Sequence, residues 1–167
     1  MSTVALDTMV LVWGLQRKDP PGQKEKELLR RAQILLRQLD EDKASVVVPA
    51  VVVSELLIPI ASEKHGDFVA ELRRRFVCPP LDLQGAALAA DIWRRHRGLP
   101  KKDQIKRTTL KADALIVATA SVAGAQVFYS HDPKCRRLAE LARMEGRDLP
   151  THHENLFIDK EMRGNSK

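Results

Sequence analysis

Cysteines, aromatic residues and long apolar runs are all scarce in this sequence, and each scarcity removes a class of protein. The two cysteines, Cys78 and Cys135, have no histidine or third cysteine at metal-ligand spacing. They read as structural thiols in a reducing cytoplasm. Aromatic residues make up 4% of the chain, too few for an extended base-stacking platform. The longest apolar stretch, Val46 to Ile60, is broken by Pro49, Ser54, Glu55 and Pro59 and is shorter than the roughly 20 residues a membrane helix needs. No basic region precedes an apolar run at Met1 to Asp7, so no signal peptide is expected.

The remaining composition is globular. The 167 residues suffice for one domain with a real core, and 44% hydrophobic against 30% charged is not the balance of a disordered chain. The net charge is +6, carried in runs such as Arg73-Arg74-Arg75, Arg94-Arg95-His96-Arg97, Lys101-Lys102, Lys106-Arg107 and Arg136-Arg137. A basic chain with clustered cations favours a polyanionic partner, because phosphate contacts supply most sequence-independent nucleic-acid affinity.

Short β-prone runs alternate with helical periodicity. Val4 to Leu6 predicts a buried strand, Met9 to Leu15 a helix, and Asp19-Pro20-Pro21-Gly22 a break. Leu28, Leu29, Ala32, Leu35, Leu36 and Leu39 recur at helical spacing over Lys24 to Leu39. A strand is expected at Val46 to Val48 and a helix from Ala50 to Ser62, with Pro49 suited to its start. Further helices are expected over Phe68 to Phe76, Leu83 to Arg97, Lys111 to Ala123 and Pro133 to Met144. Val77-Cys78 reads as an edge strand, Gln126 to Tyr129 as a strand, Gly98 to Thr109 as a basic loop, and Asn155 to Ile158 as a last short strand. The alternation implies a three-layer α/β/α sandwich on a mainly parallel sheet, since parallel strands need helical crossovers. One domain over residues 1–150 and a tail over 151–167 are expected.

Four acids stand where an ordinary surface carboxylate does not. Asp7 follows Val4-Ala5-Leu6, and Asp132 follows Val127 to His131, so two strands aim an aspartate at their C-terminal rim, where open parallel sheets bind ligands. Glu55 on a helix has Val51, Val52, Ile58 and Pro59 as its neighbours, which makes its carboxylate costly to desolvate. Asp113 begins an apolar stretch to Ala120; its ordinary reading is a first-turn acid that complements the helix dipole. Together the four would raise one another's pKa and need a cation. Oxygen ligands without histidine or cysteine suit Mg²⁺ or Mn²⁺.

These segments resemble the PIN-domain nucleases, the family that includes the VapC toxins of bacterial toxin–antitoxin pairs. The resemblance covers residues 3 to 145 and rests on four blocks in order: Leu6-Asp7-Thr8-Met9-Val10-Leu11, Val53-Ser54-Glu55-Leu56, Ala112-Asp113 to Ala120, and Tyr129-Ser130-His131-Asp132. It implies a parallel sheet flanked by helices, frequent homodimers, and Mg²⁺- or Mn²⁺-dependent cleavage of RNA. Asp7, Glu55, Asp113 and Asp132 would be the catalytic metal ligands. Thr8 and Ser130 stand where the family has hydroxyl residues near the site. The role expected is a type II toxin with a small antitoxin partner; the alternative is a non-catalytic PIN-fold module that binds RNA or protein. The chain departs from the family in having Pro133-Lys134-Cys135-Arg136-Arg137 after the fourth aspartate and a long basic loop before Asp113. Arg94, Arg95, Lys101, Lys102, Lys106, Arg107 and Lys111 are the candidate RNA contacts. A phosphatase using Asp7 as nucleophile would want an aspartate two residues on, where Met9 stands. His131, His152 and His153 read as solvated residues, and Trp13 and Trp93 as packing residues.

Overall fold

The structure, a computed structural model, describes residues 2–16 and 19–151. Four strands, β1 (Thr3–Leu6), β2 (Ser45–Val47), β3 (Val127–Tyr129) and β4 (Glu145–Arg147), form one sheet in the order β2-β1-β3-β4, every neighbouring pair parallel. Among the described residues seven α-helices flank it: α1 (Thr8–Leu15), α2 (Gln23–Glu41), α3 (Ala50–Leu57), α4 (His65–Arg75), α5 (Leu83–Arg97), α6 (Arg107–Val122) and α7 (Pro133–Leu141). This is the expected α/β/α architecture.

The central strands are covered on both faces, so their side chains are apolar without alternation. Val4, Ala5, Leu6, Val46, Val47, Phe128 and Tyr129 are all buried. The amphipathic α2 turns Leu28, Leu29, Ala32, Leu35 and Leu39 inward. In α6 a run from Ile116 to Ala120 is buried without interruption, as its nearly all-round apolar sequence requires. The chain leaves β1 toward β2 on one side, while β3 lies on the other. The strand order therefore reverses between β1 and β3, the place where a ligand crevice opens at the C-terminal edge.

Several boundaries differ from expectation. Helix α3 ends at Leu57, short of Ser62, because Pro59 lacks the N–H that would continue the ladder. Val77 makes a single parallel bridge to Val47 and not a strand; Pro79 and Pro80, which have no N–H to donate, follow at once. Helix α7 stops at Leu141, and Arg143 turns the chain at a φ of 64°. The fourth strand is Glu145–Arg147, which sequence reasoning missed. Its middle residue, Gly146, packs so closely on α7 that a Cβ there would lie 2.6 Å from the Arg136 carbonyl oxygen. The strand expected at Asn155 to Ile158, like His152 and His153, lies outside the described residues. Among the described residues no helix is long and apolar enough to cross a membrane. Cys78 and Cys135 are both free, and Cys135 is buried.

Candidate active site

Asp7 is the first residue beyond β1 and caps α1, its Oδ1 accepting from the Thr8 N–H at 2.7 Å. The parallel register pairs Leu6 with Tyr129, so β1 and β3 end side by side, and the Asp7 N–H donates to the Tyr129 carbonyl at 3.0 Å. Ser130, the first residue beyond β3, is fully buried. Its hydroxyl donates to Asp7 Oδ2 at 2.7 Å and accepts from the Asp132 N–H at 3.1 Å. One serine thus ties the two strand-end aspartates to a common frame. Asp132 in turn caps α7, accepting from the Lys134 N–H at 2.8 Å.

The other two acids come from helices. Glu55 on α3 accepts a hydrogen bond from the Thr8 hydroxyl, which links it to the end of β1. Its expected apolar surroundings are present on one side only: Val52 is buried, but Ile58 is 81% exposed. Asp113 lies on α6, which packs against α3. The helix begins at Arg107, not at Lys111 as the polar sequence had indicated. Asp113 therefore sits in the second turn, and its reading as a first-turn acid serving the dipole fails.

The electrostatics follow from burial first and from neighbouring charge second. The Asp113 carboxyl is pushed up to about 7, by burial first and then by Asp7, Glu55 and Asp132. Asp7 is also raised, chiefly by burial; the donors from Ser130 and Thr8 oppose this, and Glu55 and Asp132 add to it. The Cys135 thiol, in the first turn of α7, is driven well up by burial and by Asp7, Asp113 and Asp132. It is an inert, protonated thiol, as its sequence context implied. Among the described residues none of the four acids pairs with a lysine, arginine or histidine within 4 Å.

Among the described residues no three acid, histidine or cysteine side chains already form a closed cage for an ion. Asp7 feels the charges of Glu55 and Asp132, and Asp113 feels those of Asp7, Glu55 and Asp132. That arrangement fits a hard divalent cation held through one or two carboxylates with water in its other positions, the usual habit of Mg²⁺. It does not fit zinc, which takes a compact set with histidine or cysteine.

The family model for the PIN domain matches residues 4–141, a span that contains all four acids. The chain belongs to the PIN-domain family. Among curated proteins none matches this PIN domain significantly. One solved structure of similar fold is described as VapBC2 from Rickettsia felis bound to a DNA fragment from their promoter. The two align with a TM-score of 0.55 at 12% identity, over 89% of this chain and 99% of that one.

Sequence reasoning missed a polar cluster beside the rim of this PIN domain. His131, read as solvated, has its Nδ1 3.0 Å from Asp148 Oδ1, and its ring meets Trp13 edge-on at 6.2 Å between centroids. Arg136 donates to the carbonyls of Ser130 and His131 at 2.8 and 3.0 Å, holding the turn that carries Ser130. Burial acts to raise the Asp148 carboxyl, but His131, the Leu149 N–H and Arg31 outweigh it and hold the group below its usual range. The only signal in the sequence was the position of Arg136, four residues after Asp132. Of the candidate RNA contacts, Arg95 is engaged with Asp91 at 2.7 Å. Arg94, Lys101, Lys102, Lys106, Arg107 and Lys111 are exposed.

Proposed function

We propose that this chain is an Mg²⁺- or Mn²⁺-dependent endoribonuclease, and that it is the toxin of a type II toxin–antitoxin pair. The observation that supports the reading is the Asp113 carboxyl, pushed up to about 7 by burial and by the charges of Asp7, Glu55 and Asp132, with no lysine, arginine or histidine of the described residues paired to any of the four. Membership of a family whose members are generally nucleases supports the hydrolytic reading. The fold shared with a VapBC complex supports a small antitoxin partner. The net charge of +6 supports a polyanionic substrate.

Asp7, Glu55, Asp113 and Asp132 would hold the ion, which when bound lowers the pKa of a water and offsets charge on the scissile phosphate. The protein's own part is placement. Ser130 keeps the Asp7 carboxylate and the Asp132 backbone in one orientation, and Thr8 does the same for Glu55. Asp113 must give up its proton before it binds a cation, so the site fills more readily as pH rises through about 7.

The test is cleavage of RNA with Mn²⁺ or EDTA by the wild type and by Asp7→Asn and Asp113→Asn. Mn²⁺-dependent cleavage lost in both variants is expected; cleavage that survives both changes refutes the assignment. Growth arrest on expression, relieved by a small co-expressed partner encoded upstream, separates a toxin from a housekeeping nuclease. A non-catalytic module would bind RNA equally with the acids intact or replaced, and would not cut it.

A further inference from the structure

The segment between α5 and α6 has the composition of a loose surface loop, yet it is fastened at four points. His96, 1% exposed at the end of α5, accepts the Ile105 N–H on its Nε2 at 2.8 Å. The Gln104 side chain donates to the Leu99 and Arg97 carbonyls at 2.8 and 3.3 Å. From α7, Lys134 Nζ donates to the Gln104 carbonyl at 3.1 Å, and Arg137 pairs with Asp103 at 3.1 Å. Lys134 is also the residue whose N–H is capped by Asp132. One end of the segment therefore leans on the helix that carries the fourth acid. The other end runs into α6, where Arg107 precedes Asp113 by six residues, about 9 Å of helix rise.

The fastening also sorts the charges. Asp103, the segment's only acid, is taken by Arg137. Lys101, Lys102, Lys106 and Arg107 remain exposed, and among the described residues none has an ion-pair partner. Burial, with Arg97 and Lys134 nearby, holds the His96 imidazole below its ordinary value, so the ring is neutral and able to accept at pH 7.

We propose that residues 98–107 form a pre-ordered basic clamp that tracks the phosphate backbone of single-stranded RNA leaving the carboxylate rim, and that His96 and Gln104 are the positioning residues that hold it in register. The inference rests on the ribonuclease reading and extends it to the path of the substrate. A basic segment whose backbone is held beside the helices that carry the acids separates two tasks: the cations hold the strand, and the acids, which repel phosphate when unoccupied, act on one bond. Because its backbone is already held, the segment gives up little conformational entropy of its own on meeting RNA.

Binding of a short fluorescein-labelled single-stranded RNA of mixed sequence, measured in EDTA over a range of salt, tests this without cleavage. Removing the four clamp charges in K101Q/K102Q/K106Q/R107Q is expected to reduce the slope of log affinity against log salt by about 2.8, roughly 0.7 per lost phosphate contact. The control K24Q/K26Q/R73Q/R74Q removes the same charge from α2 and α4, which carry none of the four acids, and is expected to change the slope by less than half as much. His96→Leu and Gln104→Ala alter no charge at pH 7 and are expected to weaken RNA binding several-fold, while His96→Gln, which keeps an acceptor, restores part of it. Gln104 is only half-buried, whereas His96 is 1% exposed, so the Gln104 variant remains informative if His96→Leu fails to fold. Equal slopes for clamp and control variants, or wild-type affinity in a folded Gln104→Ala, would overturn the clamp while Mn²⁺-dependent cleavage stands. A wild type that neither binds nor cuts RNA overturns both the clamp and the reading beneath it.

Discussion

The carboxylate rim and the basic segment beside it carry opposite charge and are positioned by opposite means. The rim inherits its geometry from regular structure: two parallel strands end in register, and two helices bring in Glu55 and Asp113. The segment has only a single 3₁₀ turn, Lys101–Asp103, and is placed by individual side chains, His96, Gln104, Lys134 and Arg137. The lesson is one of tolerance. Groups that must meet around one ion need a rigid scaffold, whereas groups that follow a flexible polymer need only to be held in a common direction.

That contrast breaks first at the rim. Asp113→Asn or Asp7→Asn is expected to lower Mn²⁺-dependent RNA cleavage by on the order of a thousandfold, as loss of a principal charge-stabilising group does. Ser130→Ala removes the hydroxyl that joins the Asp7 carboxylate to the Asp132 backbone, and is expected to lower cleavage by about 10- to 100-fold, in the range for residues that orient metal ligands. Single-turnover assays at saturating Mn²⁺ would separate this from weaker ion binding.

A smaller effect appears in the stability of the metal-free protein. Asp113 holds its proton up to about 7 when folded, against 3.8 for the ordinary aspartate of an unfolded chain. The folded state then binds more protons between these values, so this group's contribution is fully present below about 3.8 and is lost as pH rises through about 7. Thermal melts in EDTA should show part of the decline between pH 4 and 7 disappear in Asp113→Asn. The smallest effect sharpens the comparison from the other side. Removing the four clamp charges should raise Mn²⁺ affinity at the rim by no more than about 0.5 kcal/mol at about 0.15 M salt, because exposed charges are screened over about 8 Å; isothermal titration without RNA would measure it.

Sequence patterns disclosed the rim better than the segment, for a physical reason. A strand buried on both faces has an apolar run, and an acid at its end stands out, which exposed Asp7 and Asp132 directly. Helix α5 was legible to the residue because Leu83 to Arg97 keeps helical spacing between Asp82 and Gly98. The start of α6 was not, because Arg107-Thr108-Thr109 has no apolar stripe and its helical state depends on packing further along. Strand β4 was hidden because Glu145-Gly146-Arg147 has no apolar or β-branched residue to mark it, although it pairs in parallel with β3. The Ser130 bridge and the His131–Asp148 pair depend on residues far apart in sequence meeting after the sheet forms, and no local pattern encodes them.

The central claim, that the acids act together as one cation site, is tested most directly by Mn²⁺ binding followed by electron paramagnetic resonance from pH 5.5 to 8.5. The wild type should gain affinity by about tenfold per pH unit up to about 7, where Asp113 loses its proton, and then level off. Asp113→Asn should lose both the affinity and that pH dependence. Wild-type affinity and an unchanged pH profile in Asp113→Asn would contradict the account.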